Sequence, residues 1–189
     1  TDVDGVFTAD PRVVPSARKI EEITYDEMLE LATSGAKVLH SRSVELAKKY
    51  GVEMVVRSSL NKSEGTTVRE VAKMEKMLVT GVASDKNTAR ISVIGVEDKP
   101  GVAFKIFNKL AKNNINIDII LQSVGRDGSK DISFTVAQDD LEEAIKVLEE
   151  NKEVLTIKEI KSNSNVAKVA IVGAGMMSNP GVASQMFEA

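Results

Sequence analysis

The sequence predicts an α+β fold built on a repeated strand–turn–helix unit. Two observations carry this. Residues 95–107 read GVEDKPGVAFKIF and residues 175–187 read GMMSNPGVASQMF, so Gly, Pro-Gly-Val-Ala and Phe coincide at an offset of 80. Each copy also follows an apolar strand-like run, at 89–96 and at 167–172. A shared context around a shared motif points to duplication.

The first copy can be read to its end. Ile91 to Val96 reads as a strand, and Pro100-Gly101 breaks it and opens a helix with Ala103, Phe107 and Leu110 at helical spacing. Ile115, Ile117, Ile119 and Leu121 alternate as a strand; after a polar turn at Gly125 to Gly128, Ile132, Phe134 and Val136 alternate again. Asp140 with Glu143 three residues on is a capping-box candidate, opening a helix with Leu141, Ala144, Ile145 and Leu148 on one face. Leu155 to Ile160 supplies a last strand. The order βαββαβ is the ferredoxin-like split unit. The second copy stops within its first helix, after a polar linker at Ser162 to Asn165.

The region before the repeats differs. Thr24 and Glu27 form another capping-box candidate for a helix through Met28, Leu29, Leu31 and Ala32. Ser41 to Tyr50 reads as a helix, Val52 to Arg57 as a strand and Asn61 to Thr67 as a polar turn or linker, a pattern of α/β units.

Composition narrows the function. Lys plus Arg is 25 and Asp plus Glu is 28, a net charge of −3, so no excess of cations exists to replace counterions on nucleic acid. No Trp and only seven Tyr and Phe argue against stacking platforms for single strands. No apolar run approaches the roughly 20 residues that cross a bilayer, so no membrane partner is expected. The absence of Cys excludes disulfides and thiolate metal sites, and one His does not support a His-based metal site or triad. His40 reads as a packed, hydrogen-bonded residue without a catalytic role. The chain opens at Thr1 without Met or a signal-peptide pattern and ends inside a helix-like run; a fragment of a longer, cytoplasmic protein is expected.

Three stretches have chemical potential. In TDVDGVFTADPR, Asp2, Asp4 and Asp10 either approach a cation or bond their own loop backbone; the spacing around Gly5 does not fit an EF-hand. At Glu97 to Ala103 a strand feeds a tight turn and a helix start, whose unsatisfied N–H groups and dipole suit a carboxylate while Asp98 suits an ammonium. That describes an amino acid; the plainer alternative is a helix start only. In VAIVGAGMM, a strand followed by Gly-x-Gly suggests a dinucleotide site, but Ser178 stands where the fingerprint needs a third glycine.

The string TDVDGVFTADPR, followed by SGAKVLHSRSVELA at 34–47 and the two Pro-Gly-Val-Ala repeats, resembles the aspartate kinases. The resemblance implies that residues 1–67 are the tail of an amino-acid kinase catalytic domain with a linker, 68–161 a first ACT domain with its leading strand, and 162–189 the start of an incomplete second ACT domain. It implies nucleotide contacts at Thr1, Asp2, Phe7, Thr8, Ala9, Asp10, Pro11, Arg12 and Lys37, with Phe7 standing where Tyr is more usual. It implies effector contacts at Asp98, Gly101, Val102, Ala103, Gln122 and Ser123, near the Asp131 to Ser133 edge; Gly125 stands where Ser is frequent. The family transfers phosphate from ATP, with Mg²⁺, to aspartate, and the catalytic residues lie outside this chain. The fragment is therefore expected to hold no catalytic residue, metal or cofactor of its own and to be inactive alone. It is expected to bind lysine and/or threonine and to form a homodimer through ACT domains. Two rivals stay open: a non-enzymatic amino-acid sensor and an NAD-binding dehydrogenase fragment.

Overall fold

A computed structural model describes residues 1–71, 78–124, 128–173, 175–176 and 179–188. The chain divides into two compact units, residues 1–85 with 168–189, and residues 86–167.

The first unit holds β1 (Glu22–Thr24), α1 (Tyr25–Thr33), α2 (Ser41–Tyr50), β2 (Met54–Val56), β3 (Thr66–Arg69) and α5 (Val182–Glu188). Its sheet runs β1-β3-β2, with β1 parallel and β2 antiparallel to β3. Thr24 and Glu27 make the reciprocal capping box that starts α1: the Glu27 N–H donates to Thr24 Oγ1 (3.3 Å) and the Thr24 N–H to Glu27 Oε2 (3.2 Å). His40 caps α2, its Nδ1 accepting from the Arg42 N–H at 3.2 Å; the residue is exposed rather than packed. Ile23, Met28, Leu31, Val44 and Val68 form the core, which Ala83 and Val172 complete from distant parts of the chain.

Thr66 ties the N-terminal string to this sheet. It is wholly buried, its hydroxyl accepting from the Val6 N–H (2.8 Å) and donating to the Ile20 carbonyl (2.5 Å). Gly5 is buried beside it, and a Cβ there would lie 2.7 Å from Thr66 Oγ1. The close approach this glycine permits is to the protein's own interior.

The second unit contains α3 (Val102–Lys112), β5 (Ile120–Val124), β6 (Lys130–Val136) and α4 (Leu141–Glu150), with parts of β4 (Gly81–Val96) and β7 (Glu159–Val172). The strand order is β5-β6-β4-β7, which is the order a βαββαβ unit produces. Ile132, Phe134 and Val136 alternate inward on β6, and Ile106 and Leu110 of α3 and Val147 and Leu148 of α4 cover them. Phe107 meets Phe134 edge to face at 5.5 Å.

Several details differ from expectation. The polar turn or linker expected at Asn61 to Thr67 runs into β3, which starts at Thr66 and pairs with β1 and β2. The strand expected from Ile115 begins only at Ile120; Ile115 instead sits buried beyond α3, its N–H on the Leu110 carbonyl. Asp140 makes no side-chain cap, because a 3-10 turn at Gln138–Asp140 runs straight into α4 and gives Asp140 helical angles instead of the extended ones a cap needs. Residues 162–165 are not a linker but the middle of β7, and Leu155 and Ile157 belong to the buried turn before it. The part of the expected polar turn at residues 125–127 lies outside the described residues.

Candidate functional sites

The N-terminal string is held at further points besides Thr66. The Thr1 carbonyl accepts from both the N–H (2.8 Å) and the hydroxyl (3.0 Å) of Ser59, and the Thr1 hydroxyl donates to Asp2. Phe7 bridges to Lys19; the Thr8 N–H donates to the Arg18 carbonyl, and the Arg18 N–H to Thr8 Oγ1. Past Ala9 the chain makes a turn at Asp10, whose carbonyl accepts from the Val13 and Val14 N–H groups.

Asp10 and Arg12 are locked together across this turn around Pro11. Arg12 Nη2 lies 2.8 Å from Asp10 Oδ2 and Nε 3.0 Å from Oδ1, while the Arg12 backbone N–H donates to Oδ1 at 2.9 Å. These hydrogen bonds from Arg12 hold the Asp10 carboxyl below the usual carboxylate range, and Asp10 raises the guanidinium in turn. A phosphate oxygen reaching Arg12 would share its fork with Asp10. Lys37 stands exposed on the turn between α1 and α2; among the described residues no hydrogen bond or ion pair ties it to the string. Asp4 accepts from Asn61 Nδ2 at 2.6 Å. Among the described residues no three acidic or histidine side chains are grouped to hold a metal ion.

The second candidate is the turn between β4 and α3. Gly101, at φ +88°, is the residue just before α3; a Cβ there would meet no atom within 4 Å, so the conformation alone calls for glycine. Val102 and Ala103 pack their side chains on the core of this unit, so backbone N–H is what they can offer a ligand; that of Val102 already donates to the Lys99 carbonyl at 3.3 Å. Asp98 is half-exposed and pairs with Lys130 Nζ at 2.6 Å, and Glu97 pairs with Lys99 at 2.9 Å. Gln122 and Ser123 lie apart from the turn, exposed on β5, with β6 between β5 and β4: Gln122 faces Ile132 and Ser123 faces Asp131. The rows Val124–Lys130 and Lys130–Val96 make Lys130 the common neighbour of both groups.

An open cleft of about 350 Å³ lies here, lined by Gly95 to Lys99, Gly128, Ser129 and Lys158. Asp131 shapes it by accepting from the Gly95 N–H at 2.9 Å. Lys158 shapes it by packing its stem on Gly95, where an added Cβ would lie 2.4 Å from Lys158 Cδ. Lys130 and Lys158 were not foreseen. The β5–β6 pairing would have pointed to Lys130, but counting it needs a register the turn hides; nothing local marks Lys158.

The first glycine of VAIVGAG, Gly173, has a packing role. A Cβ on Gly173 would lie 2.3 Å from the Leu78 carbonyl, and the Thr80 N–H donates to the Val172 carbonyl at 2.7 Å. Residues 174 and 177 of VAIVGAGMM, and Ser178 after it, lie outside the described residues.

Comparison with known proteins agrees with this anatomy. Residues 1–58 match the amino acid kinase family, and residues 91–151 match an ACT domain. The aspartokinase of Bacillus sp. (strain MGA3) is 52% identical over all 189 residues, which cover 46% of that protein. The regulatory subunit of aspartate kinase from Thermus thermophilus, solved in a ligand-free form, is 40% identical with a TM-score of 0.54; the match covers 59% of this chain and 74% of that one. Aspartokinase III of E. coli in complex with lysine and aspartate, its T-state, is 28% identical with a TM-score of 0.72, covering 92% of this chain and 38% of that one. An amino acid kinase segment followed by an ACT domain is the class these matches define. Within that class, the chain belongs to the aspartokinase family. It spans about half the length of the curated relatives it matches.

Proposed function

We propose that this chain is the regulatory portion of an aspartate kinase, which transfers phosphate from ATP to L-aspartate to give 4-phospho-L-aspartate. Its own task is to bind a feedback amino acid, lysine and/or threonine, at the β4–α3 turn. The observation that carries this is the pairing on one turn of a carboxylate, Asp98, with a helix start opened by a positive-φ glycine, Gly101. The two ends of an amino acid find opposite partners there: the ammonium at Asp98, and the carboxylate at the start of α3, on the Ala103 N–H and on a Val102 N–H that would be shared with the Lys99 carbonyl. That an E. coli relative was solved with lysine and aspartate supports the effector class.

Gln122 and Ser123 would then be contributed from β5. This strand ends the sheet, and all five of its residues are exposed. An edge of this kind is suited to pairing with an ACT domain of a second copy, giving a homodimer. Effector binding would shift the kinase by favouring one dimer arrangement, through differential affinity for the two.

The Thr1–Arg12 string and Lys37 are the chain's proposed contribution to the nucleotide, with Lys37 and Arg12 as the cations for its phosphates. Phosphoryl transfer rests mainly on positioning and charge neutralisation. Mg²⁺ is implied with ATP, but Asp4 and Asp10 are committed to Asn61 and Arg12. No step is assigned to an ion held by this chain, and the chain alone is proposed to be inactive. Among the described residues no helix is long and apolar enough to cross a membrane; the cytoplasm is the proposed compartment.

Calorimetric titration of the chain with L-lysine, L-threonine, L-methionine and NAD, each separately, tests the reading. Saturable binding of lysine or threonine that Asp98→Ala abolishes is expected. Binding of NAD instead would overturn it in favour of a dinucleotide site.

A further inference from the structure

We infer that Lys130 is a built-in competitor for the ammonium position of the effector turn, and so sets the affinity of this site. The inference rests on the effector reading above. Both carboxylates of the turn already hold a lysine of the same chain: Lys130 Nζ lies 2.6 Å from Asp98 Oδ1, and Lys99 Nζ lies 2.9 Å from Glu97 Oε2. The side chain of Lys158 lies along Gly95 at the same cleft. Three lysines thus gather at the two acids of the turn, while the third carboxylate at the cleft, Asp131, accepts from the Gly95 N–H.

An incoming α-ammonium has two routes to Asp98. It can take the second carboxylate oxygen and stand beside the Lys130 ammonium, where like charges repel. Or it can displace Lys130, giving up an ion pair already made. Either route weakens binding relative to a turn whose Asp98 has no internal cation. Lys130 is well placed to yield, because its side chain is 35% exposed and its Nζ is carried on a flexible four-carbon stem. Its position is fixed by the sheet: Lys130 opens β6 and sits opposite Val96, two residues before Asp98.

The size of the effect follows from exposure. A half-exposed ion pair contributes up to about 1 kcal/mol, which is about fivefold in a binding constant.

The test is calorimetry with L-lysine and L-threonine on the chain and on Lys130→Met, Lys130→Arg and Asp98→Asn. Lys130→Met is expected to bind about fivefold more tightly, Lys130→Arg to match the unaltered chain, and Asp98→Asn to lose binding. The ¹³Cε–¹⁵Nζ side-chain resonance of Lys130 gives a second readout. Saturation with L-threonine is expected to move it towards its position in Asp98→Asn, a change that a structural lysine would not show. If Lys130→Met binds equally or more weakly while Asp98→Asn loses binding, the competition is overturned and the effector reading stands. If the chain and all three variants bind neither amino acid, the effector reading falls and takes the competition with it.

Discussion

Replacing Thr66 with Val tests how the N-terminal string is anchored. The two side chains are nearly the same shape, so the change removes one hydroxyl and little else. That hydroxyl serves the Val6 N–H and the Ile20 carbonyl, in a residue that is 0% exposed. Each partner left buried without a bond costs about 1–3 kcal/mol, and the added methyl returns about 0.8 kcal/mol of burial. The net loss is about 1–5 kcal/mol. With a urea slope of about 1–3 kcal/mol per molar, a loss of about 3 kcal/mol in the middle of that range should lower the midpoint by about 1 M or more. Both tyrosines, Tyr25 and Tyr50, belong to the first unit, so tyrosine fluorescence follows the unit in question. Thr66→Ser keeps the hydroxyl and loses one buried methyl, for about 1 kcal/mol. If Thr66→Val is no less stable than Thr66→Ser, the hydroxyl is not the anchor and the reasoning fails.

Three further outcomes are expected. Phe134→Ala removes the ring at the centre of the second unit and should destabilise it by about 3–5 kcal/mol, read as lost hydrogen-exchange protection in β6. Thr156 holds φ +55°, costly for a β-branched residue, so Thr156→Asn should stabilise by about 1 kcal/mol in a thermal melt. The Asp10 carboxyl, lowered by Arg12, should titrate by NMR below the ordinary value of about 3.9, and Arg12→Ala should bring it back up. The sign is set by the lowered value: the clasp contributes fully above the ordinary carboxylate pKa and is lost as pH falls through the folded one.

The sequence made the local devices plain and the long-range ones obscure. The capping box at Thr24 and Glu27 was legible because four consecutive residues contain both bonds. The same pattern at Asp140 misled, since a cap depends on backbone angles that the preceding turn dictates. The polar run Ser162 to Asn165 reads as a linker only if polarity is taken as the end of a strand. β7 ends the sheet, so its side chains can face water while its backbone pairs with β4. At the β4–α3 turn, Asp98 and Gly101 were visible as a motif. Lys130 was not, because its link to Asp98 depends on which residue of β6 falls opposite the end of β4.

The first unit is assembled from stretches far apart in the sequence, and this sets an order of events during synthesis. Lys168 Nζ donates to the Thr33 carbonyl across a separation of 135 residues, and Val172 is buried in a core otherwise built mainly from the first 70 positions. Residues 86–167 form a contiguous stretch with their own core, so they can fold as soon as they leave the ribosome. The earlier-made residues must wait for Val172 to emerge before their interior is closed. Nascent-chain proteolysis should therefore show residues 86–167 becoming resistant before the N-terminal residues translated ahead of them.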